Sequence, residues 1–169
     1  MAPGHYPRVT FRSMTAFNAE TAEQIKAGFL ATVPFVRTLG LRFEELEPGR
    51  SVMRLPDEPA HHNHIGGPHA GAMFTLAESA SGSIILSTFG DQLDRAVPLP
   101  TTVTQTFEKV AMGDMVAEAR LGRPREEVVA ELDAGKRPEF PVEVELRTED
   151  GTVTGHVTVI WTLKPDRKG

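Results

Sequence analysis

Between His69 and Asp91 the chain carries a single ionisable side chain, Glu78, in a run otherwise made of small, hydroxyl and large apolar residues. A carboxylate in that setting has two uses. As a reactive group it takes a proton from water or attacks an electrophilic carbon. As a structural acid it caps backbone groups or pairs with an arginine, because a lone buried acid is costly unless satisfied. Just upstream, residues 61–71 read HHNHIGGPHAG, a cluster of imidazoles, an amide and glycines. Imidazole is a common zinc ligand. No HExxH is present and no carboxylate completes a ligand set, so no metal and no cofactor are expected, and His61 and His62 are expected to face solvent in a loop. Ser79, Ser81 and Ser83 lie outside any G-x-S-x-G turn, which argues against a serine hydrolase. Gly66-Gly67 lacks the lysine of a phosphate-binding loop. The chain has no cysteine, hence no thiolate nucleophile and no disulfide.

The elements that would position these groups follow from periodicity and breakers. Asn18 or Thr21 caps a first helix running to about Phe29, with Ile25, Phe29 and Val33 at helical spacing and Pro34 as a break. Residues 38–47 and 51–55 read as strands joined by a Pro48-Gly49 turn. Residues 56–68 are too irregular for either state. A helix of some 20 residues, about 30 Å long, then runs from His69 to Phe89. Having almost no charge on any face, it is expected to be buried nearly all round. Strands follow at 99–109 and 114–121. A charged excursion at about 122–138, holding a short helix over 124–132, is expected to be a surface insertion. A last hairpin, 139–148 and 152–163, turns at Glu149-Asp150-Gly151. In the strand beginning at Leu99, threonines 102, 104 and 106 alternate with Val103, Gln105 and Phe107, so both faces are partly polar.

The 169 residues suit one domain. The expected organisation is a flexible arm at 1–17, a domain at 18–164 and a solvated tail at 165–169. The N-terminus has no apolar signal-peptide core, and no run approaches a membrane span of roughly 20 apolar residues. With a net charge of -5, the chain is poorly suited to nucleic acid. No membrane contact and a cytoplasmic location are expected.

This layout resembles the hot-dog fold, an α+β domain in which a curled antiparallel sheet of about six strands wraps a long central helix, here with a short helix before it. The spacing of Asn63, Gly66, His69, Ala70, Gly71 and Glu78 is similar to that of the PaaI-like thioesterases, and the chain looks most like their DUF4442-type branch. Most PaaI-like members have two glycines after the histidine where this chain has Ala70-Gly71, and an aspartate where it has Glu78.

The resemblance implies hydrolysis of an acyl- or aryl-coenzyme A thioester, with Glu78 as nucleophile or general base. The oxyanion would be met by a backbone N–H at the start of the long helix, Gly71 first and Ala70 second. Asn63 would fix the thioester or the attacking water, and His69 would order the loop or the helix start. Gly66 and Gly67 would shape the substrate site, and Thr104 would line the acyl pocket. Arg120 and Arg123 are candidates for the phosphates of coenzyme A by composition. Glu78 lies two turns from Gly71, too far to share one carbonyl within a chain, so the site would be built between two copies. The resemblance thus implies a homodimer as the minimum unit, assembled further into a tetramer. The alternative is a non-catalytic acyl-CoA-binding or regulatory protein of the same fold. A hydroxyacyl dehydratase is less favoured, since its usual acid–base pair is not found.

Overall fold

The computed structural model describes residues 17–166; the expected arm at 1–17 falls almost wholly outside them, as do the last residues of the tail. Helix α1 (Ala19–Thr32) is capped by Asn18, whose side chain accepts from the Thr21 N–H at 2.9 Å. It turns Ile25 and Phe29 inward. Pro34 does more than break it: with φ already suited to a helix and no N–H to satisfy, it opens the short α2 (Pro34–Thr38). Strand β1 (Arg42–Glu47) therefore starts later than its sequence suggests. It is followed by β2 (Arg50–Leu55) and the long helix α3 (Ala70–Phe89). Then come β3 (Ala96–Phe107), β4 (Met115–Leu121), α4 (Arg125–Asp133), β5 (Glu139–Thr148) and β6 (Val153–Pro165).

The six strands form one antiparallel sheet in the order β1-β2-β4-β5-β6-β3. Helix α3 carries the chain from β2 across the sheet to its far edge, where β3 pairs with β6 alone. Helix α3 is wrapped as its composition requires. Leu76, Ala77, Ala80 and Ile84 are fully buried, and its inner face meets Met53, Met115, Val144 and Leu146 in one core.

Its serines tie helix to sheet. Ser83 donates to Ser51 at 2.7 Å, Ser81 accepts from the Trp161 indole at 3.1 Å, and Ser87 donates to the Glu47 carbonyl at 3.1 Å. Each hydroxyl is thereby satisfied in a buried position.

The 122–138 excursion is more than a surface insertion. Val128 and Leu132 of α4 are buried and belong to the core, so the amphipathic helix closes one end of the sandwich while its glutamates face out. No described helix is long and apolar enough to cross a membrane.

Candidate functional site

The loop before α3 is held by its own polar groups. His61 is 5 % exposed, not solvent-facing as its neighbourhood suggested. Its Nδ1 donates to the Pro56 carbonyl at 3.1 Å, and its own carbonyl accepts from the His69 N–H at 2.7 Å. His62 is partly exposed and contacts Asp57 at 2.6 Å. Asn63 organises the next turn: its Oδ1 accepts from the Ile65 N–H at 3.0 Å, and its Nδ2 donates to the Pro68 carbonyl at 3.2 Å. An amide nitrogen has two hydrogens, so one N–H of Asn63 is left for a ligand.

Gly67 is where this loop touches the β3–β4 connection. A Cβ there would run into the Ala111 carbonyl oxygen and press on the Met112 sulfur. Gly67→Ala is expected to lower the melting temperature by several degrees and to push the loop outward, since the blocking atom is backbone. Calorimetry checks the first effect and the yield of soluble protein the second.

The first turn of α3 decides which backbone donors remain free. Helices leave their first N–H groups without internal partners. Here the Gly71 N–H donates to His69 Nδ1 at 2.9 Å, and the Ala72 N–H to the His69 carbonyl at 2.9 Å. His69 is thus the N-cap, with its ring proton on Nε2 so that Nδ1 can accept. The Ala70 N–H has no partner among the described residues. For Gly71 to serve an oxyanion, His69 would first have to turn away; Ala70 needs no such change.

Ala70 lines a cleft of about 430 Å³ together with Asn63, Ile65, Met73, Phe107, Lys109 and Val110. Its mouth is apolar and exposed: Ile65, Phe107 and Val110 are all more than half accessible. Glu78 does not line this cleft. It sits on the same face of α3, eight residues on, or about 12 Å along the axis. It is half-buried, and burial raises its carboxyl above the ordinary glutamate range. No side chain among the described residues bonds to or ion-pairs with that carboxylate, so the structural-acid reading finds no cap or arginine among them.

The remaining expected residues are scattered. Thr104 lies opposite Thr158 on the outer face of the sheet, because the pleat turns Val103 and Gln105 toward α3. It cannot meet Glu78 of its own chain. Arg120 is also on the outer face. There it contacts Glu118, and burial, which would raise that carboxyl, is outweighed by Arg50 and Arg147, so it is held at about 2. Arg123 bonds to Glu131 at 2.9 Å and to the Glu139 carbonyl at 2.9 Å, near the C-terminal end of α3. Neither arginine reaches the cleft. Gly66, at φ +83°, only forms the turn beneath it.

A family model described as a domain of unknown function, DUF4442, matches residues 21–163. The chain belongs to the DUF4442 family. Its fold is the hot-dog fold. A Pseudomonas aeruginosa protein of unknown function, described as a probable thioesterase, is 33 % identical. The match covers 85 % of this chain and 95 % of that one, with a TM-score of 0.77. A thioesterase family protein from Silicibacter pomeroyi shares the fold at 21 % identity and a TM-score of 0.70, over 86 % of this chain and 99 % of that one. So does the PaaI protein of Escherichia coli, at 14 % identity and 0.68, over 86 % and 94 %. No curated protein matches the chain.

Sequence reasoning on this DUF4442 chain passed over Lys109 and Val110. They follow a strand rather than a motif, and only the pairing of β3 with β6 swings them round to the start of α3. Lys109 has no ion-pair partner among the described residues. It is a cation of the cleft wall, where Arg120 and Arg123 are not.

Proposed function

We propose that this protein hydrolyses thioesters of acyl or aryl groups carried on coenzyme A. The observation that supports this most is that the Ala70 N–H, alone in the first turn of α3, has no partner among the described residues, at a position that lines an apolar-mouthed cleft. An N–H at a helix start is a donor for the oxyanion formed when a thioester carbonyl is attacked. Glu78 supplies the base or nucleophile. Burial without a cationic partner makes its carboxylate more basic, which suits the activation of water. The free N–H of Asn63 orients the thioester or that water. Phe107 and Val110 receive apolar acyl carbons, and Lys109 meets a phosphate of the carrier.

Because about 12 Å of helix separates Ala70 from Glu78, the reactive site pairs Ala70 of one copy with Glu78 of a second. Two features of the chain suit such pairing. Among the described residues the outer edge of strand β3 has no neighbour, and its run beyond Pro98 and Pro100 can pair with another strand. Beside it, Phe74 of α3 is 40 % exposed on the face that carries Ala70 and Glu78. Antiparallel α3 helices across a two-fold axis bring each Glu78 to the other copy's Ala70. The dimer is the minimum unit for this chemistry, and a tetramer would be a dimer of such dimers.

Mixing two inactive variants tests the shared site. Glu78→Gln and Ala70→Pro each break both sites of a homodimer. In a mixed dimer one site loses both groups and the other keeps both. An equal mixture, unfolded and refolded together, is expected to regain about one quarter of wild-type turnover, because half of randomly paired two-fold dimers are mixed. Mixed dimers seen by native mass spectrometry without regained turnover would refute the shared site. Wild type that binds acyl-CoA esters but releases no thiol would make the protein a binding module.

A further inference from the structure

Helix α3 is wrapped on every side but one. Past Ala70, the residues of the helix that keep some exposure are Gly71, Phe74, Thr75, Glu78, Gly82 and Leu86. Apart from Phe74, which stands beside Thr75, they recur at steps of three and four, so all lie on one face. That spacing is the one by which two helices lie along each other. The chain covers half of this seam itself: Phe29 of α1 lies over Gly82, 3.9 Å from where a Cβ would stand. The half from Gly71 to Glu78 stays open, with Phe74 40 % exposed.

Charge selects the occupant. One end of the open half carries the Ala70 N–H, unpartnered among the described residues, at the positive end of the helix. The other end carries the Glu78 carboxylate, the one acid of the helix, with no cation beside it among the described residues. A second α3 laid antiparallel brings the negative group of each helix to the positive end of the other. A parallel copy sets like against like. The apolar Phe74 between the two ends suits a partner that is apolar at the same place, and a second copy supplies one.

The register follows. When Ala70 of one helix faces Glu78 of the other, residues pair symmetrically about a midpoint, and the midpoint is Phe74. It lies one turn from Ala70 and one turn from Glu78. We propose that the two Phe74 rings of a dimer meet on its two-fold axis, forming the wall between its two reactive sites and setting the gap from each Ala70 N–H to the opposing Glu78. The register rests on the shared-site reading of the thioester hydrolase; the meeting of the rings is measured without turnover.

Cysteine substitution reads the axis. The chain has no cysteine of its own, so a single one reports a single position. Helices packed about 8–10 Å apart hold directly opposed Cα atoms within disulfide reach. Phe74→Cys, oxidised with copper phenanthroline in dilute solution, is expected to run mostly as a covalent dimer on a non-reducing gel. Thr75→Cys, which keeps the ring and lies beside the axis, is expected to link as well. Glu78→Cys shares the face but is about 12 Å from its counterpart in this register, and is expected to stay unlinked, as is Phe35→Cys, 57 % exposed on α2. Phe74→Ala is expected to lower kcat by up to about 100-fold by misplacing the opposing Glu78, and Phe74→Leu to recover most of it, both remaining dimeric by native mass spectrometry. If neither Phe74→Cys nor Thr75→Cys links better than Phe35→Cys, or if wild type is a monomer, the proposal is overturned; thiol release by a dimeric wild type would then leave the hydrolase reading standing. Linking of Glu78→Cys instead moves the axis and overturns both the register and the shared site. If Phe74→Cys links but wild type releases no thiol from acyl-CoA esters, the contact stands and the hydrolase reading falls.

Discussion

Glu78→Gln is expected to cut thioester turnover by a factor of about 100 or more and, at neutral pH, to raise the melting temperature. The first effect is the usual contribution of a positioned acid–base group. The second follows from linkage. Burial raises the Glu78 carboxyl in the folded protein, so the folded state binds that proton more tightly than the unfolded chain does. The stability this group contributes is fully present below its unfolded value, about pH 4.3, and is lost as pH rises through the folded value. Glutamine has the same shape and no charge to desolvate. The variant therefore gains on wild type above that window, and the two converge as pH falls toward 4. A structural acid satisfied by a partner would behave oppositely, because its removal leaves the partner unpaired. Thiol release and melting curves at pH 4, 6 and 8 separate the two.

Ala70→Pro is expected to lower kcat by about 10²- to 10³-fold, the cost of one oxyanion donor, with an unchanged melting temperature and oligomer. Proline is normally a harsh probe, but this position is built for it. The first residue of a helix needs no N–H of its own, and the Ala70 N–H bonds to nothing among the described residues. The residue before a proline must be extended, and His69 already is, at φ -64° and ψ 142°. The substitution removes one hydrogen and leaves the helix start in place. Ala70→Gly, which restores the N–H, is the control and keeps wild-type turnover. Equal kcat in proline and wild-type protein would move the oxyanion contact to Gly71, and His69 would then have to swing aside during turnover.

The sequence by itself determined the local elements and their chemistry. A run of residues 70–90 with Glu78 as its one charge marked α3 as a wrapped helix, because a surface helix cannot leave its outward face almost uncharged over five turns. Asp150-Gly151 marked the last hairpin, and Gly151 sits there at φ +86°. Glu78 was legible as the solitary acid of a buried element. These are statements about periodicity and composition, and neighbours in the chain suffice to make them.

Tertiary structure decided what depends on distant pairing and on competition for single atoms. Alternation in β3 separated Thr104 from Gln105, but either set could have faced inward. The register with β6 put the threonines outside and Gln105 beneath the helix. Composition made Arg120 and Arg123 attractive for phosphates, yet both lie away from the cleft, paired with acidic neighbours, and Lys109 is the cation on its wall. The sequence put Gly71 ahead of Ala70 as the source of an N–H, but the His69 ring takes the Gly71 donor and leaves that of Ala70. That last choice rests on a rotamer set by the folded loop, where His61 is buried and grips His69 through its carbonyl. A helix start offers several donors in principle, and among the described residues the fold satisfies all but that of Ala70, a residue of the cleft wall.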